Sequence, residues 1–495
     1  MTPPQGTNLM KFPMLYQARP RRMMQDLRAA GVSAPTLADV PDQWFAKLAS
    51  SGFDWIYLLG IWQTGSRSRD VSIRHPAIAA HHESHLPGCR EEDVCGSPFA
   101  ISAYVLHDDF GPADALMVFH SKANHHGLRL MLDFVPNHVG LDHPWAINCP
   151  EMFIHSDPKT PAGQAVAATP GGPELCHGRD PFFPPWPDTY QLNLFHPKVR
   201  TEHCNLIASI ATQCDGLRCD MAMLPLSDIF ESTWNESAMQ ADGYHRDKSD
   251  YWPKLISAAR DINPEFVFLG ECYWDREWDL MTQGFNYCYD KRLYDRLHHG
   301  LGEQVRWHLN AEPAFRDRCA HFLENHDEPR VAGLLNPQQH KAAAMISFFA
   351  PGLRFVHQGQ ELGYKVSDSV HLRRVVQESA DPDIARFYEW MLPKAALAGN
   401  HAWKLATPEP ASAGYVAHLN IVAMMIDTPH PMMVVVNCSS SKSECKIRLP
   451  ISGSQIVFKD LVTEKSFEWS GEEVRQTGVF IDLPAWGYHL LTWTR

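Results

Sequence analysis

The 495 residues contain no Cys-x-x-Cys pair, no long unbroken apolar run, no glycine-rich phosphate loop and no excess of basic charge. Each absence excludes a class of protein. The twelve cysteines are scattered, so a zinc ribbon or a dithiol redox motif is excluded, and they read as reduced, mostly buried small hydrophobes. The longest apolar stretch, KAAAMISFFAPGLRFV (341–356), is too short and interrupted to span a bilayer. Lys and Arg number 44 against 57 Asp and Glu, a net charge of −13 with His neutral. No basic field exists to attract phosphates, which excludes nucleic acid as a partner and leaves a neutral small molecule. No Gly-x-Gly-x-x-Gly or Walker loop opens any strand–helix unit, which weakens a nucleotide-binding reading. The opening MTPPQGTNLMKF lacks the apolar segment of a secretory signal, so a cytoplasmic setting is expected. Oligomeric state is not legible.

What is present is an alternation. FDWIYLLG (53–60), LRLMLDFV (128–135), DGLRCD (215–220), FVFLGE (266–271) and LRFVHQGQE (353–361) are strand-like, and helical patterns lie between several of them. Examples are 110–127, 201–213, 251–264 and 340–350. Strands alternating with helices imply a parallel sheet covered by helices. Over about 350 residues this suits a (β/α)₈ TIM barrel better than a doubly wound sheet. Residues 141–195 break the alternation and are rich in Pro and Gly (PGGPELCHGRDPFFPPWPDTY). They predict an inserted B domain, leaving 1–140 and 196–396 for the barrel. From 397 to 495, strand-like segments follow one another without helices, predicting a C-terminal antiparallel β domain of sandwich type.

Four strands end in polar clusters: Asp133, Asn137 and His138; Arg218 and Asp220; Glu271; Asn325, His326 and Asp327. In GLRCD, Arg218 and Asp220 are two apart, so both point to one face of a strand. In a barrel all strand C-termini open on one mouth, where these distant residues would converge. Two carboxylates flanking a sugar can break a glycosidic bond with retention. The attacking group must stay ionised, and Arg218 beside Asp220 lowers a carboxylate's pKa. The acid needs a raised pKa, and Glu271 after the apolar FVFLG fits. Asp327 is a third carboxylate for sugar hydroxyls and the cationic transition state.

The order Asp-x-x-x-Asn-His, Gly-x-Arg-x-Asp, Glu, His-Asp resembles the four signature regions of the α-amylase family of retaining glycoside hydrolases. GFDWIYLLGIW resembles that family's first barrel strand, GSPFAISAYVLHDDFG its second-strand region, and the β-rich tail its C-terminal domain. The resemblance implies Asp220 as nucleophile, Glu271 as acid/base and Asp327 as transition-state stabiliser. It implies His138, Arg218, His326 and Phe99 as sugar-pocket contacts. Phe99 stands where Tyr is usual, and Ala100 where many small-oligosaccharide glucosidases carry Asp. Met223 and Leu224 replace a frequent Lys-His pair. Asn137 keeps the type of a calcium ligand, although the chemistry requires no cofactor and a thioether and an alkyl group are poor ligands for a hard cation. The expected activity is double-displacement cleavage of α-glucosidic bonds in small α-glucans. The alternatives are a transglycosylase, isomerase or phosphorylase on the same scaffold and, more remotely, a non-catalytic carbohydrate-binding or adaptor relative. Two polar stretches, SRSRD (66–70) and HHESH (81–85), read as surface loops; the second is not a zincin helix, because Leu86 stands where the second His belongs.

Overall fold

Eight strands close into one parallel barrel: β1 (Met14–Ala18), β2 (Trp55–Leu58), β3 (Arg129–Phe134), β4 (Gly216–Cys219), β5 (Val267–Gly270), β6 (Tyr287–Tyr289), β7 (Cys319–His321) and β8 (Leu353–His357), with β8 returning to β1. The computed structural model describes residues 12–156, 166–234, 247, 249–299, 302–399 and 401–494. Every strand is buried on both faces, which explains the apolar runs. One parity faces outward to the helices (Met14, Ile56, Leu132, Leu217, Phe268). The other fills the barrel interior with Leu15, Trp55, Met131, Leu269, Tyr289 and Phe355. Gly216 belongs to the inward set. A Cβ there would approach Val267 O to 2.7 Å and Trp55 to 3.2 Å, so the indole takes the volume that a side chain would need.

The barrel's strand numbering corrects one expectation. Trp55–Leu58 is the second strand; the first is Met14–Ala18, and the region resembling a second strand forms Ile101–Leu106, which pairs outside the barrel with Trp62–Thr64. Both polar stretches read as loops are helical, Ser66–Arg74 and Pro76–His85. Their inward faces are polar, which conceals the helical period. Ser68 donates to Asp188 O (2.8 Å) and Arg67 donates to Leu141 O (2.7 Å), tying the first helix to the inserted segment. His82 of the second is buried near His371.

The inserted segment is clipped to the mouth by His138–Gly140 pairing with Thr189–Gln191. At the C-terminal end a six-stranded antiparallel sheet faces a three-stranded one. The six-stranded sheet is apolar on both sides. Ile421, Met433 and Val435 face the small sheet, while Val422, Met424 and Val434 join the core that packs the barrel helices. A short α-helix, Gly471–Gln476, and a 3₁₀ turn, Ala417–Asn420, interrupt this β-rich tail.

Candidate active site

The inward parity that fills the barrel with hydrocarbon turns polar near the strand C-termini. Gln17 on β1, Tyr57 on β2, Asp133 on β3, Arg218 on β4 and His357 on β8 form a buried layer. Above it opens a cleft of ≈ 1090 Å³ lined by Phe99, His138, Asp220, Glu271 and Asp327 among others. Arg218 and His326 lie just behind that lining, with fully buried side chains. A smaller cavity of ≈ 420 Å³ by Trp403 and Trp493 belongs to the C-terminal sheets and contains none of these groups.

Arg218 is the electrostatic centre. One terminal nitrogen donates to Asp220 Oδ1 at 2.6 Å, the other lies 2.7 Å from Glu271 Oε2, and Asp133 is 4.0 Å away. Its Cζ sits 5.4 Å from the Phe99 ring centroid. The chain turns directly after Asp220. Met221 takes φ 40°, an unusual conformation for a side-chain-bearing residue, and its N–H donates to Glu271 Oε2 at 2.7 Å. Ala222 N then donates to Glu271 O, so the turn after β4 grips the end of β5. Tyr273 Oη reaches Glu271 Oε1 at 3.1 Å. Asn325 accepts from the N–H groups of Asp327 and Glu328 and so fixes the loop that presents Asp327.

Burial dominates the ionisation of these groups. It pushes the Glu271 carboxyl up to about 7, with Arg218 opposing and Asp220 adding to the rise. Asp220 is also raised, because burial outweighs the guanidinium beside it. Arg218 was expected to leave Asp220 below the ordinary range; instead it limits the rise. The cleft walls raise Asp327 as well, and Glu328 adds to that, although half of the Asp327 side chain faces the opening. His138 and His326 are held neutral by burial, both lowered to about 3.

Phe99 and His326 form a tilted aromatic pair at 5.4 Å. His138 packs on Trp186 at 5.0 Å, and its Nδ1 is buried without a partner among the described atoms. Asp133 stays behind the cleft, bonded to Tyr57 Oη and to Gly60 N (2.6 Å). Sequence reasoning missed two features. Glu277 lines the cleft and is pushed by burial to about 7. Trp274 and Asp275 both adopt left-handed backbone, φ 62° and 60°. Such positions cost roughly 1–3 kcal/mol each. Arg292 grips Asp275 with two bonds (2.7 and 2.5 Å), and Trp274 packs edge-on against Phe182 at 4.8 Å. The YWD tripeptide after Glu271 was the available signal.

Asn137 does not fit the calcium reading. Its Oδ1 accepts from Gln191 Nε2 (2.9 Å) while its Nδ2 donates to Gln191 Oε1 (3.1 Å). Gln191 Nε2 also lies against the carbonyls of Asn137 (2.9 Å) and Leu192 (3.0 Å). An amide N–H₂ thus occupies the centre of an oxygen cluster that would otherwise suit a hard cation. Met223 and Leu224 are buried in the core. Among the described residues no group of three or more His, Cys, Asp or Glu is arranged to hold a metal. A chelator is expected to leave the melting temperature unchanged. Gln191→Ala is expected to cost about 2 kcal/mol by stranding the buried Asn137 amide, measured by denaturant unfolding. A chelator-induced fall in Tm would overturn this.

A closed eight-stranded barrel with an insertion after β3 and a β-rich tail is also the architecture of solved α-amylase structures. The comparisons agree with that fold, and the sequence matches are to α-amylases and an α-glucosidase. It is 25% identical over 324 residues to α-amylase 3 of Dictyoglomus thermophilum, a match covering 60% of each chain, so the likeness spans about three-fifths of that relative. It is 21% identical over 307 residues to an α-glucosidase of Culex pipiens, covering 52% of each. Among solved structures, the maltogenic α-amylase AmyB of Thermotoga neapolitana has a TM-score of 0.69 at 16% identity, covering 98% of this chain and 99% of its own. The debranching enzyme of Nostoc punctiforme gives 0.64 at 13%, covering 98% of each. No family model matches the chain.

Proposed function

We propose that the protein cleaves α-glucosidic bonds of small α-glucans by double displacement. Asp220 attacks the anomeric carbon while Glu271 protonates the departing oxygen, giving a β-glycosyl-enzyme. Glu271 then takes a proton from water, which attacks the same carbon and releases the sugar with its α configuration retained. Asp327 binds ring hydroxyls and stabilises the developing positive charge. Phe99 offers an apolar face to the sugar, His326 offers a donor to its hydroxyls, and His138 offers a ring nitrogen for a further hydrogen bond. The observation that carries this reading is the convergence of Asp220, Glu271 and Asp327 on one sugar-sized cleft, with one guanidinium touching the first two.

The decisive experiment is proton NMR of reactions with maltooligosaccharides, isomaltose, sucrose and trehalose. First-formed products of α configuration are expected; β products would overturn the mechanism. The pH profile supplies a second check. Glu271 must enter protonated, so kcat/KM is expected to fall above about 7, where its carboxyl ionises. The acid limb belongs to Asp220 and lies above the range of an ordinary aspartate. The two limbs are properties of the interacting pair. Glu277 titrates in the same region. A Glu277→Gln variant is therefore expected to keep the basic limb, and a Glu271→Gln variant to lose it.

A further inference from the structure

His326 is held from behind. Its Nδ1 lies 3.1 Å from Gln17 Nε2, across from β1. Its Nε2 lies 3.0 Å from Asp327 Oδ2 but makes no aligned hydrogen bond, and so it remains a buried nitrogen with its bonding capacity unspent. Gln17 is fully buried, and its Oε1 lies 2.6 Å from His357 Nδ1 on β8. One amide therefore joins two imidazoles.

The chemistry of the amide fixes both rings. An amide nitrogen only donates, so His326 Nδ1 must present its lone pair. An amide oxygen only accepts, so His357 Nδ1 must carry a proton. Turning the amide over would leave the buried His326 Nε2 bare, 3.0 Å from an oxygen of the half-exposed Asp327 carboxylate, with two acceptors facing each other. That arrangement is repulsive, and it decides the orientation. Burial with Arg218 and Arg19 nearby keeps His326 neutral, against the attraction of Glu271, and burial with Arg330, Arg19 and Arg22 nearby does the same for His357. Neither ring can satisfy both neighbours by taking a second proton.

We propose that Gln17 is a positioning residue for the cleft: it locks His326 in the Nε2–H tautomer, which keeps a donor, unspent within the protein, 3.0 Å from Asp327 and available to the sugar hydroxyl that Asp327 holds. Its catalytic consequence rests on the glucan-cleaving reading above; the tautomer itself does not. An amide one hydrogen bond removed from the cleft thus decides which proton the cleft offers. Nothing in the local sequence MLYQA marks this, because the partners lie 309 and 340 positions away.

The test begins with the wild-type tautomer. Long-range ¹H–¹⁵N spectra of the histidine-labelled wild-type protein, with the His326 signal assigned by its loss in His326→Asn, are expected to show protonated Nε2 and bare Nδ1. Gln17→Glu keeps the size and, assayed at a pH where its carboxyl is ionised, offers only acceptors, so His326 is then expected to move its proton to Nδ1 or to become imidazolium. Turnover is then expected to fall roughly 10²-fold, the scale of a misaligned catalytic group, with KM changing less and the pH profile altered. Nδ1–H at His326 in a wild-type protein that cleaves α-glucans overturns the Gln17 assignment and leaves the function standing. Nε2–H in a protein that cleaves none supports the tautomer and overturns the function. A Gln17→Glu protein with the wild-type kcat and pH profile also overturns the assignment.

Discussion

Asp220→Asn is expected to lower kcat by about 10⁴-fold or more, the scale seen when a nucleophile is removed. Four decades correspond to about 5 kcal/mol of lost transition-state stabilisation. The fold should survive. The amide oxygen of Asn can still accept from Arg218, which now donates to Asp220 Oδ1 at 2.6 Å. The exchange also removes a buried charge whose carboxyl is already pushed upward. Unfolding free energy is therefore expected to move by no more than about 1 kcal/mol. A second effect separates this from trivial loss of structure. Asp220 is among the charges that raise Glu271, so the basic limb of any residual activity should move to lower pH. Turnover close to wild type would remove Asp220 from its role, and a large fall in Tm would mean that the residue is structural.

Much of this site was legible because its logic is local. Spacing of two residues in a buried strand puts Arg218 and Asp220 on one face, and the polar ends of β3, β5 and β7 announce themselves against apolar runs. The rest depended on space. β1 was missed because MLYQA carries a glutamine at its inward face, and its apolar signal is weaker than that of FDWIYLLG. The helices at 66–74 and 76–85 were missed because they bury serine and histidine where a helix ordinarily buries hydrocarbon, so no apolar stripe appears. The amides of Gln17 and Gln191 carry no mark in the sequence; their meaning comes from partners in other elements. The net shift at Asp220 was missed for a similar reason. The neighbouring arginine can be read from the chain, but the extent of burial that outweighs it cannot.

Arg218→Met tests that balance directly. The wild-type guanidinium lowers Asp133, Asp220 and Glu271 together, against the burial that raises them. Methionine fills much of the volume but leaves three buried carboxyls without a counter-charge. Breaking a buried ion pair in this way costs about 3–5 kcal/mol. The loss should depend on pH, with a definite sign. Without Arg218 the folded-state pKa values rise further above those of the unfolded chain, so the folded state binds more protons, and stability falls as pH rises through that window. The destabilisation is therefore expected to be greater at pH 8 than at pH 5, because at pH 5 the carboxyls fold protonated at little cost. Arg218→Lys should recover only part of it. An ammonium is a single point, whereas Arg218 meets Asp220 and Glu271 through two separate nitrogens at 2.6 and 2.7 Å. Denaturant unfolding at the two pH values is the measurement. An equal loss at both would show that Arg218 contributes packing and not charge, and the electrostatic account of this barrel mouth would fail.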